Sequence, residues 1–377
     1  MDSHNLRVLI VDDTIVYRKI LTEVVESLDD VEIAGTAPHG RLALAKLDQA
    51  PADLVLLDVE MPEMNGLEAL KEIRRRHPGT SVVMVSGTNL GSADITLRCL
   101  EQGALDFLRK PEGADPEASR QELKDKLRPL LRHVRMRMNL RQHEGHVQEP
   151  VQERAPAAAP EPPPPPRLEP RAAPLPTRFD VVGIGVSTGG PNALAELIPR
   201  LPADFPVPIL LVQHMPPMFT ASLAEHLAQR SPIAVSEARD GEPILPGHVY
   251  IAPGGLHMVV RRRQDPEGAG TLPIVGLNEN PPENSCRPSV DVLFRSMASQ
   301  YEGNLLAVVM TGMGSDGCEG VRALKRKGCL CLTQTEATCT VYGMPLAVEE
   351  SGLSDEQVPL ERLSARILYH VRRNRGA

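Results

Sequence analysis

Two groups of side chains in this sequence have the types and spacing that chemistry needs. The first is acidic. Asp12 and Asp13 follow the apolar run Val8 to Val11, Asp58 follows Leu54 to Leu57, Ser86 follows Val82 to Val85, and Lys110 follows Asp106 to Leu108. If those runs are strands of one parallel sheet, three carboxylates, a hydroxyl and an ammonium meet beyond its carboxyl edge, where ligands of such sheets gather. Crowded carboxylates repel one another unless a cation lies among them. Mg2+, which takes one or two carboxylates and keeps several waters, suits Asp12, Asp13 and Asp58. A carboxylate beside such an ion can attack a phosphoryl group while Lys110 neutralises the developing oxygen charge. Asp58 stands alone on the central run and is the expected phosphorylation site. Asp12 and Asp13 could instead be helix N-caps, with Lys110 preceding Pro111 by chance, but five positions landing together favour the chemical reading.

The second group begins in a glycine-rich turn, Gly183-Ile184-Gly185-Val186-Ser187-Thr188-Gly189-Gly190-Pro191-Asn192, ahead of a helical stretch over 193–198. A serine between glycines at a strand-to-helix turn is exposed and lies near the positive end of the helix. Taken alone, the turn serves equally well as a dinucleotide phosphate cradle. Its spacing is wrong by one for that fingerprint, however, and no clear ribose-binding acid follows the second run. What favours a nucleophile is the rest of the set. The second run ends in Gln213-His214-Met215-Pro216-Pro217, and a later one in Met310-Thr311-Gly312-Met313-Gly314-Ser315-Asp316-Gly317. Ser187, His214 and Asp316 then occupy three strand ends as nucleophile, general base and orienting acid. Gly312, Met313 and Gly314 form a loop able to turn backbone N–H groups toward an oxyanion. His248 and His257 are assigned to surface or packing. Met215, Met313 and Met344 suit either an apolar groove for a partner helix or loop filling.

The elements that must position these residues follow from the apolar pattern. In the first part, runs at 8–11, 31–34, 54–57, 82–85 and 106–108 alternate with amphipathic stretches such as 15–26 and 66–76. In the second part, runs at 181–184, 208–212, 249–252, 305–310 and 329–332 do the same. Alternation of this kind predicts two α/β units, each a parallel sheet with helices on both faces. Between Pro150 and Pro176 lie eleven prolines mixed with Ala and Glu. Such a segment favours an extended polyproline spacer over a packed element. The expected division is 1–142, a linker at 143–177, and 178–377.

Composition narrows the function classes. The chain of 377 residues, 41% hydrophobic and 24% charged, is long enough for two cores. Its six cysteines include no CxxC pair, which argues against both a disulfide framework and a zinc module. A net charge of −8 argues against a broad nucleic-acid footprint, and the basic stretch Arg132 to Arg141 reads as a solvated helix face. No helix-turn-helix follows the linker, so a DNA-binding output is disfavoured. The N-terminus shows no leader and no long apolar run, so a cytoplasmic protein without membrane insertion is expected.

The motifs Val11-Asp12-Asp13, Leu57-Asp58 through Gly66, Val85-Ser86-Gly87 and Leu108-Arg109-Lys110-Pro111 resemble a response-regulator receiver over residues 5–130. That resemblance implies a flavodoxin-like fold, phosphorylation of Asp58 by a histidine kinase, and Ser86 and Phe107 as the switch pair. Asn65 stands where the family commonly has aspartate. Residues 180–350 closely resemble the catalytic domain of chemotaxis protein-glutamate methylesterases, through Gly185 to Gly190, Gln213 to Pro216, Arg287 to Asp291, Met310 to Gly317, Glu336 to Cys339 and Tyr342 to Pro345. This implies a Rossmann-like second domain with Thr188 and Met313 around the oxyanion site. It also implies hydrolysis of glutamate methyl esters on methyl-accepting chemoreceptors, together with glutamine deamidation. No cofactor is expected for the esterase, and the chain is expected to act as a monomer. Cys286 stands where that family often carries histidine.

Overall fold

The computed structural model describes residues 5–87, 90–110, 116–144, 178–265, 268 and 270–373. The first unit runs β1 (Leu6–Val11), α1 (Ile15–Glu26), β2 (Val31–Ala37), α2 (Gly40–Gln49), β3 (Leu54–Asp58), α3 (Gly66–Arg76), β4 (Ser81–Ser86), α4 (Leu90–Glu101), β5 (Asp106–Arg109) and α5 (Pro116–Glu144). Its five strands are all parallel in the order β2-β1-β3-β4-β5, the flavodoxin-like arrangement expected. Helices cover both faces, which is why β1, β3 and β4 are buried almost throughout and read as continuous apolar runs. Asn65 has a structural use of its own. Its Oδ1 accepts from Glu68 N at 2.9 Å while Glu68 Oε2 accepts from Asn65 N at 3.2 Å, a reciprocal cap that starts α3.

The second unit runs β6 (Val181–Val186), α6 (Gly190–Leu197), β7 (Ile209–Gln213), α7 (Phe219–Arg230), β8 (Ala234–Glu237), β9 (His248–Ile251), β10 (His257–Gln264) and β11 (Thr271–Asn278). It continues with α8 (Val290–Gln300), β12 (Leu305–Val309), α9 (Cys318–Lys325), β13 (Leu330–Gln334), α10 (Met344–Glu350), β14 (Glu356–Val358) and α11 (Leu360–Arg372). Seven parallel strands form one sheet in the order β14-β13-β12-β6-β7-β9-β8, and β10 and β11 form a separate antiparallel hairpin. The five sequence-predicted runs are the sheet's central strands. The edge strands β8 and β14 and the hairpin went unrecognised, because their exposed faces interrupt the apolar pattern.

The chain leaves β6 toward β7, β9 and β8 on one side and toward β12, β13 and β14 on the other, so the strand order reverses beside β6. That reversal point is where open α/β sheets hold ligands. Helix α8 lies against β6 so closely that a Cβ on Gly185 would come within 2.4 Å of Val290 Cγ1. The expected linker falls mainly outside the described residues, and α5 extends to Glu144. Among the described residues no helix is long and apolar enough to cross a membrane.

Candidate functional site

The carboxyl edge of the first sheet brings the acidic group together. Ligand oxygens of Asp12, Asp13 and Asp58 lie within 4.8 Å of one another. Lys110 Nζ stands 2.8 Å from Asp12 Oδ2 and 2.8 Å from Asp58 Oδ2. Apart from that ammonium, both oxygens are buried without a hydrogen bond. Unsatisfied buried carboxylate oxygens facing one point fit a hard divalent cation, so Asp12, Asp13 and Asp58 are the residues that would hold Mg2+. Burial, and the nearby Asp12 charge against the opposing pull of Lys110, push Asp58 up to about 6. Ser86 is fully buried at the end of β4, and its Oγ accepts from Thr96 Oγ1 at 2.8 Å.

In the second sheet Ser187, His214 and Asp316 follow the three central strands β6, β7 and β12. Ser187 is half-buried at the turn into α6. Gly189, at φ 74°, closes that turn, and a Cβ there would strike Thr340 Oγ1 at 2.2 Å. The Met310 to Gly317 segment comes equally close, since a Cβ on Gly312 would stand 2.8 Å from Ser187 Cβ. Ser187 N donates to Thr311 O at 2.9 Å, and Thr311 Oγ1 donates to Thr188 O at 2.9 Å. Met313 is exposed above this loop, whereas Met215 and Met344 are buried in the packing, so the three do not form one groove. His257 is buried with Nδ1 accepting from Ser289 N at 3.3 Å, and it has no part in this group.

His214 Nε2 lies 2.7 Å from Asp316 Oδ2. A carboxylate only accepts, so this nitrogen carries the proton. Asp316 also rests on the start of α8. Val290 N donates to Oδ2 at 2.7 Å, while Ser289 Oγ at 2.8 Å, Asn284 Nδ2 at 2.9 Å and Asp291 N at 3.1 Å all donate to Oδ1. Burial works against its charge, but these donors and His214 outweigh burial and hold the carboxyl well below the usual range. His214, buried as it is, is raised above its ordinary value by Asp316. Cys286 Sγ lies 3.4 Å from His214 Nδ1, and among the described residues Ser187 Oγ takes no hydrogen-bond partner.

Residues 182–367 match the CheB methylesterase family and residues 8–122 match the response regulator receiver domain. A protein-glutamate methylesterase/protein-glutamine glutaminase of Desulfotalea psychrophila is 40% identical over 368 residues, 98% of this chain and 99% of its own. One of Trichodesmium erythraeum is 39% identical over 366 residues, 97% of this chain and 99% of its own. This chain belongs to that methylesterase family. The crystal structure of the Thermotoga maritima CheB methylesterase catalytic domain is 40% identical, covering 50% of this chain and 97% of that one, with a TM-score of 0.48. The methylesterase is accordingly a carboxylic-ester hydrolase joined to an N-terminal receiver.

In this methylesterase the two units touch through β5 and α4 of the receiver and through α6 and α7. Phe107 stacks on Phe219 with ring centroids 4.9 Å apart and planes 2° from parallel. Asp106 Oδ2 accepts from Gly189 N at 3.0 Å, and Asn192 Nδ2 donates to Ala104 O at 2.9 Å. At the rim, His226 and Arg230 meet Asp94 and Glu101. Sequence reasoning had singled out Phe107 through resemblance but missed Asp106, Asn284 and Ser289. Ser289 did carry a signal, since a serine directly before the helical run 290–300 is a good cap.

Proposed function

We propose that the chain is a phosphorylation-controlled hydrolase that removes methyl esters from glutamates of methyl-accepting chemoreceptors and deamidates glutamines there. The observation that carries this reading is the placement of Ser187, His214 and Asp316 at adjacent strand ends beside the reversal point of the sheet. Ser187 Oγ attacks the side-chain carbonyl, His214 takes its proton, and Asp316 fixes the ring tautomer and supports the imidazolium. The Gly312 to Gly314 loop, with Thr188 and Met313, supplies donors for the oxyanion. His214 returns the proton to the leaving methanol or ammonia, and water then releases the acyl group. A carbonyl that accepts attack in the ester also does so in the amide, so one site serves both reactions.

The receiver would take its phosphoryl group at Asp58 from a chemotaxis histidine kinase, with Mg2+ held by Asp12, Asp13 and Asp58. That ion would supply charge neutralisation for phosphoryl transfer. Residues 1–142 and 178–377 act as two domains of a cytoplasmic monomer, with 143–177 as tether. Contacts from Asp106 and Phe107 to the Gly189 turn and to Phe219 support a receiver that restrains the esterase until Ser86 and Phe107 respond to phosphorylation. Methanol release from a methylated receptor, measured with and without a small phosphodonor and Mg2+, tests both halves. Phosphodonor-stimulated release is the expected result. Absence of release in both conditions overturns the esterase reading.

A further inference from the structure

His214 has two ring nitrogens, and in this structure neither serves Ser187. Nε2 is committed to Asp316 at 2.7 Å, so in the neutral ring Nδ1 holds the only lone pair able to accept a proton. That lone pair faces Cys286 Sγ at 3.4 Å. The thiol is brought there by a tight turn in which Glu283 N donates to Cys286 O at 3.1 Å and Cys286 N to Glu283 O at 2.9 Å. Asn284 and Ser285 occupy its centre at φ 52° and 61°, left-handed values that fix the direction of the following residue. The turn is also pinned to the acid. Asn284 Nδ2 donates at 2.9 Å to Asp316 Oδ1 and at 2.9 Å to Asp291 Oδ2, and Arg295 Nη1 holds Glu283 Oε1 at 2.7 Å. One four-residue turn therefore grips both Asp316 and His214. The other five cysteines are buried, whereas Cys286 is only half-buried.

We infer that Cys286 is a positioning residue that holds the basic nitrogen of His214 in the resting enzyme, and that Ser187 gains its base by displacing this thiol. The exchange is between two donors for one lone pair: the S–H···Nδ1 contact is lost as the Ser187 O–H···Nδ1 contact forms, with no net proton moved. The polar and charged groups facing the ring are the Cys286 thiol on the Nδ1 side and Asp316 on the Nε2 side, with Asp291 and Arg295 of α8 behind Asp316. A thiol that donates S–H to Nδ1 stabilises the neutral ring while competing for its lone pair, so its loss leaves Asp316 to favour the protonated ring more strongly.

This inference rests on His214 being the base, and its test separates the two. The pH–rate profile of methyl ester hydrolysis is measured without phosphodonor for the full chain, for Cys286→Ala and for Cys286→Ser. With the competing bond removed, Cys286→Ala should hydrolyse roughly fivefold faster on the high-pH plateau, the midpoint of its rising limb displaced to higher pH. Cys286→Ser, whose hydroxyl can donate to Nδ1, should return the profile toward that of the parent. An unmoved midpoint in Cys286→Ala, with or without a change in rate, overturns the inference. Nitrogen-15 spectra of the His214 ring in the parent protein read the contact without any variant and without hydrolysis. Nδ1 should appear as a hydrogen-bonded acceptor whose titration midpoint lies above that of an ordinary histidine. A free Nδ1 overturns the inference, while an Nδ1 bound to the thiol in a protein that Ser187→Ala does not inactivate overturns only the triad.

Discussion

Asp106 of the receiver accepts, through Oδ2 at 3.0 Å, the amide proton of Gly189, two residues beyond Ser187. Its Oδ1 accepts from Phe107 N at 2.8 Å. A single buried carboxylate thus joins the residue that stacks on Phe219 to the turn that carries the serine. Burial pushes this group up from 3.8 to about 6, against the two backbone donors that lower it.

The sign of that shift sets a pH dependence for docking. Released from the interface, Asp106 would titrate near the ordinary carboxylate value, so docking takes up protons between that value and about 6. The docked arrangement should strengthen as pH falls through this window and lose the gain as pH rises past 6. Amide exchange at Gly189, corrected for intrinsic rates, reports it: protection should grow toward the acid end. Asp106→Ala should lower protection and remove its pH dependence across that window. Equal protection in parent and variant would show that the hydrogen bond contributes nothing to docking.

Removing Ser187 Oγ takes away nucleophilicity and little packing, because the residue is half-buried at a turn and its Oγ makes no hydrogen bond among the described residues. Ser187→Ala should keep its fold by circular dichroism and lose on the order of 10⁴-fold in ester hydrolysis. His214→Ala should behave similarly. Asp316→Asn should lose somewhat less if the residue only orients and stabilises the ring. Hydrolysis by Ser187→Ala within tenfold of the parent would sink the assignment.

Asp58 is buried beside Asp12, and its raised value means that ionising it costs stability in the metal-free protein at neutral pH. The protonated form is the one favoured in the fold, so the penalty is absent below 3.8, builds as pH rises from there, and is fully present above about 6. Asp58→Asn should therefore raise the melting temperature without Mg2+ at pH 7, by roughly 2–4 °C. It should also abolish stimulation by phosphodonor while leaving basal hydrolysis in place. Stimulation that persists in this variant would move the phosphoryl site elsewhere.

The Phe107 and Phe219 stack contributes roughly 1 kcal/mol beyond its buried area. Phe107→Ala should loosen docking and raise the unstimulated rate about fivefold, and a fragment of residues 178–377 should be faster still and blind to phosphodonor. Steady-state rates of the three proteins decide the matter. A fragment that folds yet is slower than the unphosphorylated full chain would mean that the receiver contributes to catalysis instead of restraining it.

Both candidate sites were legible in the sequence for the same reason. Strands buried on both faces must be continuously apolar, so β1, β3, β4, β6, β7 and β12 declare themselves, and the polar residue ending each one marks the edge where ligands bind. Asp12, Asp58, Ser86, Ser187, His214 and Asp316 follow from that rule and from residue type alone. What lies along one strand and its exit is local information, and the chain carries it openly.

Tertiary structure alone decided which atoms meet. Nothing in the spacing shows that His214 offers Nε2 to Asp316 and Nδ1 to Cys286, because ring orientation depends on partners arriving from residues 72 and 102 positions away. The same holds for Asn284 and Ser289 on Asp316, and for Asp106 on Gly189, whose bond spans 83 positions and two separate sheets. The hairpin β10–β11 and the edge strands β8 and β14 escaped for another reason. Half-exposed strands need only alternate, and neither the three or four residues of β14 and β8 nor the arginine run toward the end of β10 stands out from a loop. Periodicity identifies the elements that bury their faces, whereas docking, tautomer and hydrogen-bond choice depend on distances that only the packed chain sets.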